Sequence, residues 1–239
     1  MMPTAMKIIL SLLGSYLVGS IPFGLIVVWV ARRQDVRRIG SGRTGGTNVM
    51  RAAGWLAGVI TAVLDVLKGV AAGWIARALM PENPWVLVAS AVLAVMGHNY
   101  SAFLVEKREQ GGIRFKGGAG GATAFGGAMA IWPPIWMYVL PVGVLVYFLV
   151  GYASVTTISV AVVTTVVFAI RALRGESTWV YVLYGIAVLG VVLYALRPNL
   201  ERLRRGTERA VGLRAYLQKR RQQQSGHSVN SGNQNATPQ

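Results

Sequence analysis

Hydrophobic positions fall in long runs along this chain, at about Met6 to Ala31, Trp55 to Met80, Trp85 to Val105, Ala119 to Trp132, Ile135 to Gly151, Ser154 to Ala172 and Thr178 to Leu196. A helix that crosses a bilayer needs about 20 such residues, slightly fewer when polar caps help. The pattern therefore predicts an all-α integral membrane protein, a bundle of about seven transmembrane helices. Trp132, Pro133 and Pro134 divide one long apolar stretch into the fourth and fifth segments, because proline breaks the helical hydrogen-bond ladder.

Charge fixes the expected orientation. Lys and Arg accumulate on the cytoplasmic side of membrane proteins, and here they follow the first, third and seventh segments, while only Lys7, Arg77, Arg171 and Arg174 fall on the other side. That asymmetry puts the N-terminus outside and the C-terminus in the cytoplasm, which requires an odd number of crossings. The first segment is expected to be retained, since its apolar run greatly exceeds the 7 to 15 residues of a signal peptide.

The organisation that follows is a single transmembrane domain over 1–206, with cytoplasmic Gly-rich loops at 35–54 and 105–121. A basic juxtamembrane segment follows at 207–221, and then a polar Gln/Asn/Ser-rich tail at 222–239 whose composition predicts disorder.

Composition narrows the chemistry. Only 13% of the 239 residues are charged and 54% are hydrophobic, against about 25% charged in a soluble domain. The absence of cysteine excludes disulfides, thiolate metal sites and a cysteine nucleophile, and two histidines are too few for an ordinary metal cluster. No metal and no cofactor are implied. The net charge of +16 sits mostly beside membrane segments and lacks a nucleic-acid motif, so anionic membrane lipid is the expected partner and nucleic acid is not.

The polar residues concentrate in a few places. The loop from Gly40 to Gly54, GSGRTGGTNVMRAAG, can converge backbone N–H groups on an anion, with an arginine to clamp it in bidentate fashion. A second glycine-dense stretch, Arg114 to Thr123, opens the fourth segment, where a helix N-terminus favours an anion; close helix packing is the competing account of its glycines.

Asp65 and Lys68 lie inside the second segment at i, i+3 spacing. They either neutralise each other or contact a ligand. His98 near the end of the third segment reads as a capping or packing residue, and Arg197 to Glu208 reads as a basic stretch held at the anionic surface. There is no H-x4-D pair, since Phe103 stands five after His98, and no G-x-S-x-G elbow or Walker A sequence. An enzyme built this way has to rely on an activated substrate and on stabilising charge.

Several motifs occur together in a recognisable order: SIPFG (Ser20 to Gly24), DVRRIGSGRTGGTNVMRAAG (Asp35 to Gly54), LDVLKG (Leu64 to Gly69), GHNYSAFL (Gly97 to Leu104), FKGGAGGAT (Phe115 to Thr123), YASVTTIS (Tyr152 to Ser159) and NLERLRRGTE (Asn199 to Glu208). In order and approximate spacing the chain resembles the bacterial PlsY family, the acyl-phosphate:glycerol-3-phosphate acyltransferases, over about residues 6 to 210.

The resemblance implies an enzyme of the bacterial plasma membrane with its site facing the cytoplasm. It would move a fatty acyl group from acyl phosphate to position 1 of glycerol 3-phosphate, with acyl phosphate supplied by a phosphate acyltransferase. By position, the resemblance gives Ser41, Arg51 and Asn199 catalytic roles. Thr47, Asn48, Gly117, Gly118, Gly120, Thr123 and Ser154 would hold substrate phosphates, together with Arg43 and Lys116. Asp65, Lys68, His98 and Glu208 would support them.

The departures from the family pattern bear on activity. Arg43 stands where GSGNxGATN has Asn, Ala119 replaces the Lys of GGKG, and Leu196 replaces a His three before Asn199. An insertion, roughly Val105 to Arg114, precedes FKGG. Arg43 is one candidate for the cation lost at Ala119, and Lys116 another. A catalytically degenerate homologue that binds a phosphorylated lipid precursor is the competing reading, and a small transporter with Asp65 and Lys68 along its path is a third.

Overall fold

The computed structural model describes residues 2–107, 111–218 and 220–223. Every apolar run becomes helix. The helices are α1 (Thr4–Ser20), α2 (Phe23–Arg32), α3 (Gly46–Ala53), α4 (Trp55–Leu79), α5 (Pro84–Asn99), α6 (Gly121–Ile131), α7 (Trp136–Leu145, continued by a wider π turn at Val146–Val150), α8 (Ala153–Leu173) and α9 (Val180–Arg204). Among the described residues five spans are long and apolar enough to cross a membrane: Thr4–Arg32, Trp55–Leu79, Pro133–Val150, Ala153–Leu173 and Val180–Arg204.

The first segment is not one continuous helix. Pro22 has no N–H to continue the ladder, so the chain breaks at Ile21 and restarts at Phe23. The carbonyl of Ile21 then accepts from Phe23 N and, from another helix, from Lys68 Nζ, each at 3.1 Å. The third segment also ends earlier than its apolar run, at Asn99, and the fourth is only 11 residues long. At 1.5 Å rise per residue, α5 and α6 reach only about 24 and 17 Å, short of a hydrocarbon core of about 30 Å.

Their shortness creates the recess that holds the site. His98 at the end of α5 contacts Asp65, which lies about 15 Å along α4 from its first residue. The longer α4 thus runs past the ends of α5 and α6, and loops fill the space left over. Close contact between α4 and α6 depends on small residues. A Cβ on Gly69 or Gly126 would overlap the backbone of the opposite helix, and one on Gly73 the side chain of Ala130.

Several polar groups inside the bundle are paired with one another or with backbone carbonyls, as a solvent without hydrogen bonds favours. Ser11 and Ser90 hydroxyls lie 2.9 Å apart, and Tyr184 Oη donates to Ala124 O at 2.7 Å. Arg77 donates to the carbonyls of Ala130 and Ile131 where Pro133 cuts α6 off from its continuation.

The loop at 35–54 is in part helical, since α3 occupies its second half. The insertion before FKGG is an antiparallel hairpin, β1 (Val105–Lys107) with β2 (Ile113–Phe115), in register Glu106 with Arg114. Glu106 ties it to the core through Lys116 at 2.7 Å and Arg37 at 3.2 Å. Of the polar tail at 222–239, positions 222 and 223 are helical and the rest lies outside the described residues.

Candidate active site

The loop after α2 folds around one side chain. Asn48, 2% exposed, donates through Nδ2 to the carbonyls of Val36, Ile39 and Arg43 at 2.9 to 3.2 Å, and its Oδ1 accepts from the Ser41 backbone N–H at 3.0 Å. With its amide fully used, Asn48 shapes the loop rather than offering it a ligand group. Gly40 sits at φ 59°, and a Cβ there would collide with Asn48 Oδ1, so this corner of the loop needs glycine.

The glycine stretch before α6 packs against the end of α5. Gly118 N donates to His98 O at 2.9 Å, and a Cβ on Gly118 would fall within the His98 ring. A Cβ on Gly117 would overlap the backbone of His98 and Asn99, and one on Gly120 would crowd the side chains of Asn99 and Val95. Two loops then join: Thr44 N donates to Gly117 O at 3.3 Å and Arg43 Nη1 to Gly118 O at 2.8 Å. The other Arg43 nitrogen donates to Ala195 O on α9. Arg43 therefore bridges three parts of the chain.

Between these parts lies a cavity of about 970 Å3, at the upper end of the range for small-molecule sites. Ser41, Arg43, Thr47, Asn48, Arg51, Asp65, His98, Ser154, Asn199 and Glu208 line it, with Ala119 and Leu196 among its walls. Gly117, Gly118, Gly120, Thr123, Lys116 and Lys68 do not. The three glycines let the loop approach α5, and Lys116 pairs with Glu106. Lys68 lies 2.9 Å from Asp65, while His98 Nδ1 lies 3.4 Å from the same carboxylate oxygen. Asp65 and Lys68 thus neutralise each other, and Lys68 also closes the break at Ile21.

Some buried oxygens are left without partners among the described residues: Thr123 Oγ1, Ser154 Oγ and Asn199 Oδ1. Ser154 and Asn199 are on the cavity wall, and an unpartnered buried hydroxyl or amide oxygen costs about 1–3 kcal/mol unless a ligand or water meets it. The other end of Asn199 is fixed, with Nδ2 donating to Glu208 Oε1 at 2.8 Å; Glu208 Oε2 accepts from Arg202 Nε at 3.2 Å.

The charge around the cavity is unbalanced. Arg43, Arg51, Arg202 and Arg209 face two carboxylates, Asp65 and Glu208, both already engaged. Burial, and then the nearby Arg202, hold the Arg43 guanidinium below the ordinary arginine value. Partial desolvation, and then Arg209, do the same for Arg51. Arg202, Arg209 and Tyr147 line the cavity without having been singled out in the sequence. The two arginines lie in a cationic run whose members look alike until the fold turns some of them inward.

The far arm of the cavity is apolar. Val59, Val63, Val66 and Leu67 of α4 face Trp136, Leu140, Val144 and Phe148 of the α7 region, with Phe125 and Met129 of α6 and Val160 of α8 between them. One continuous space therefore joins a cationic head to a hydrophobic tail.

A family model described as glycerol-3-phosphate acyltransferase matches residues 9–206. The chain is 41% identical over 210 residues to a glycerol-3-phosphate acyltransferase of Rubrobacter xylanophilus, covering 88% of this chain and 98% of the relative. A glycerol-3-phosphate acyltransferase of Thermus thermophilus is 39% identical over 208 residues, covering 86% and 96%. The crystal structure of PlsY, an integral membrane glycerol 3-phosphate acyltransferase in its glycerol 3-phosphate form, superposes with a TM-score of 0.73 at 30% identity, covering 88% of this chain and 98% of that one.

Proposed function

Because this chain belongs to the glycerol-3-phosphate acyltransferase family, we propose that it acylates position 1 of glycerol 3-phosphate with acyl phosphate as the donor. The observation that carries this reading is the single cavity with arginines at one end and an apolar arm at the other. A substrate pair made of two phosphates and one fatty chain matches both ends. The matched relatives carry the same activity in their names, which favours this reading over a non-catalytic binder or a transporter.

In this mechanism the fatty chain lies between α4 and α7, entering laterally from the bilayer. Both phosphates lie at the arginine end, against Ser41, Arg43, Thr47, Arg51 and Ser154. The substrate hydroxyl oxygen attacks the acyl carbonyl carbon, the carbon–oxygen bond to phosphate breaks, and the hydroxyl proton passes to the departing phosphate. The products are 1-acylglycerol 3-phosphate and inorganic phosphate. An acyl phosphate already has a good leaving group, so the protein contributes positioning and stabilisation of negative charge more than proton transfer. Asn199, held by Glu208, offers its free Oδ1 to the substrate hydroxyl, while Asp65, Lys68 and His98 brace the floor of the site.

We further propose seven crossings, with α1 and α2 counted as one, and α5 and α6 completed by the loops beneath them. The N-terminus is outside, and the site faces the cytoplasm of a bacterial plasma membrane. The basic stretch at 207–221 lies at the surface of anionic lipid. A soluble phosphate acyltransferase supplies the donor. The test is to supply purified protein in lipid with glycerol 3-phosphate and, separately, acyl phosphate, acyl-coenzyme A or an acyl-carrier-protein thioester. Product from acyl phosphate alone is the expected result, and product from a thioester alone overturns the donor assignment.

A further inference from the structure

The chain after α9 does not leave the bundle. Gly206 turns it back at φ 71°, and Thr207 N donates to Arg202 O at 2.8 Å. Glu208 is then fastened to Asn199 and Arg202. Three residues later Val211 N donates to Gly151 O at 2.9 Å, in the turn between α7 and α8, and Arg214 stacks over the Tyr152 ring at 4.6 Å. This strap is pinned on both sides of Arg209, and it begins where the family match ends, at residue 206.

Arg209 is the strap residue that the pins direct at the cavity mouth. An added Cβ on Gly40 would stand 3.3 Å from Arg209 Nη1, so its guanidinium lies directly beside the loop that carries Ser41. Neither Arg209 nor Arg51 has a hydrogen bond or ion pair among the described residues. The nearest carboxylate on the strap, Glu208, is occupied by Asn199 and Arg202. Two guanidinium groups that no carboxylate bonds thus share one cavity, where Glu208 attracts Arg51 only through space, an arrangement that a phosphate dianion complements.

We infer that Arg209, carried by the strap at 206–214, is a substrate-phosphate-binding residue that acts together with Arg51 across the mouth of the cavity. This rests on the acyltransferase reading above. The ligand chemistry is a phosphate monoester or an acyl phosphate, and the kinetics tell the two sources apart.

The test measures KM for each substrate separately in Arg209→Ala, Arg209→Lys, Arg51→Ala and, as a control for net charge, Arg204→Ala, which lies outside the cavity. Because Arg209 is exposed, Arg209→Ala is expected to raise one of the two KM values by about fivefold, with kcat nearly unchanged. Arg209→Lys should restore part of the loss. The salt dependence of that KM should also weaken, since an exposed cation acts through a screened field; a purely structural role of the strap would not change it. A rise in the glycerol 3-phosphate KM assigns Arg209 to the acceptor, and a rise in the acyl phosphate KM to the donor. If Arg209→Ala behaves like Arg204→Ala while Arg51→Ala still raises KM, the inference fails and the site reading stands. If Arg51→Ala is also silent, the site reading falls with it.

Discussion

Arg43 provides the most demanding test of how this site is assembled. It stands where the family pattern has Asn, and Ala119 stands where that pattern has Lys. In the structure the two positions meet: Arg43 donates to the carbonyl of Gly118, next to Ala119, and to that of Ala195, next to Leu196. Each charge-assisted hydrogen bond is worth about 1.5–3 kcal/mol. Since Arg43 is only partly buried and water enters the cavity, the lower figure applies, so Arg43→Asn is expected to remove about 3 kcal/mol of site organisation. That corresponds to roughly a hundredfold loss in kcat/KM.

Ala119→Lys alone places a second cation beside the first. Two charges about 6 Å apart at an effective dielectric of about 20 repel by about 3 kcal/mol, so the single change lowers activity, by about tenfold once solvent relaxes. The double variant Arg43→Asn/Ala119→Lys restores one cation without the clash and is expected to recover to within about tenfold of the parent, a coupling of at least about 2 kcal/mol. The assay is release of inorganic phosphate in lipid nanodiscs, with thermal unfolding run alongside to exclude misfolding. Losses that simply multiply in the double variant would refute the idea that Arg43 occupies the electrostatic place of the missing lysine.

Three further outcomes are expected. Arg51→Ala should cost about 1.5–3 kcal/mol in kcat/KM, since its guanidinium faces the cavity with no protein acceptor; unchanged kinetics would remove it from the site. Lys68→Met should destabilise the bundle by about 3–5 kcal/mol, because it leaves the buried Asp65 carboxylate without its compensating cation and removes one of the two donors to the Ile21 carbonyl; a matched Asp65→Asn/Lys68→Met pair should recover much of the melting temperature, and a single variant that melts like the parent would contradict the pairing. Gly118→Ala should abolish activity by driving a methyl into the His98 ring, whereas Gly190→Ala on α9, where a Cβ meets nothing within 4 Å, should be neutral or stabilise by up to about 1 kcal/mol. Equal effects of the two glycine changes would argue against the close packing of the loop on α5.

Much of the site was legible in the chain because its chemistry is carried by short contiguous motifs. Ser41, Asn48 and Arg51 share one loop, and Asn199 and Glu208 share one ten-residue motif at the end of α9. What the motifs did not reveal is the division of labour within them. Asn48 looks like a ligand residue in sequence, yet its amide is consumed by three backbone carbonyls. Gly117, Gly118 and Gly120 read as an anion cradle, while in the fold they permit contact with His98 and Asn99. Asp65 and Lys68 admitted both a ligand role and a mutual one, and the fold places them 2.9 Å apart, with Lys68 also donating to the Ile21 carbonyl at the Pro22 break.

The sequence by itself determined the membrane class, the approximate position of the apolar helices and the break at Pro133 and Pro134, because these depend on local hydropathy and on the missing N–H of proline; the break at Pro22 appeared only in the fold. Only the tertiary structure decided which cations turn inward. Arg37 spends its charge on Asp35 and Glu106, Lys116 on Glu106 and Arg202 on Glu208, and Arg51 and Arg209 are left facing one cavity. The reason is physical: a one-dimensional pattern records that an arginine is present, but its free charge depends on how many acceptors the fold brings within about 3 Å of it. Those acceptors come from residues as distant in the chain as Arg43 and Ala195.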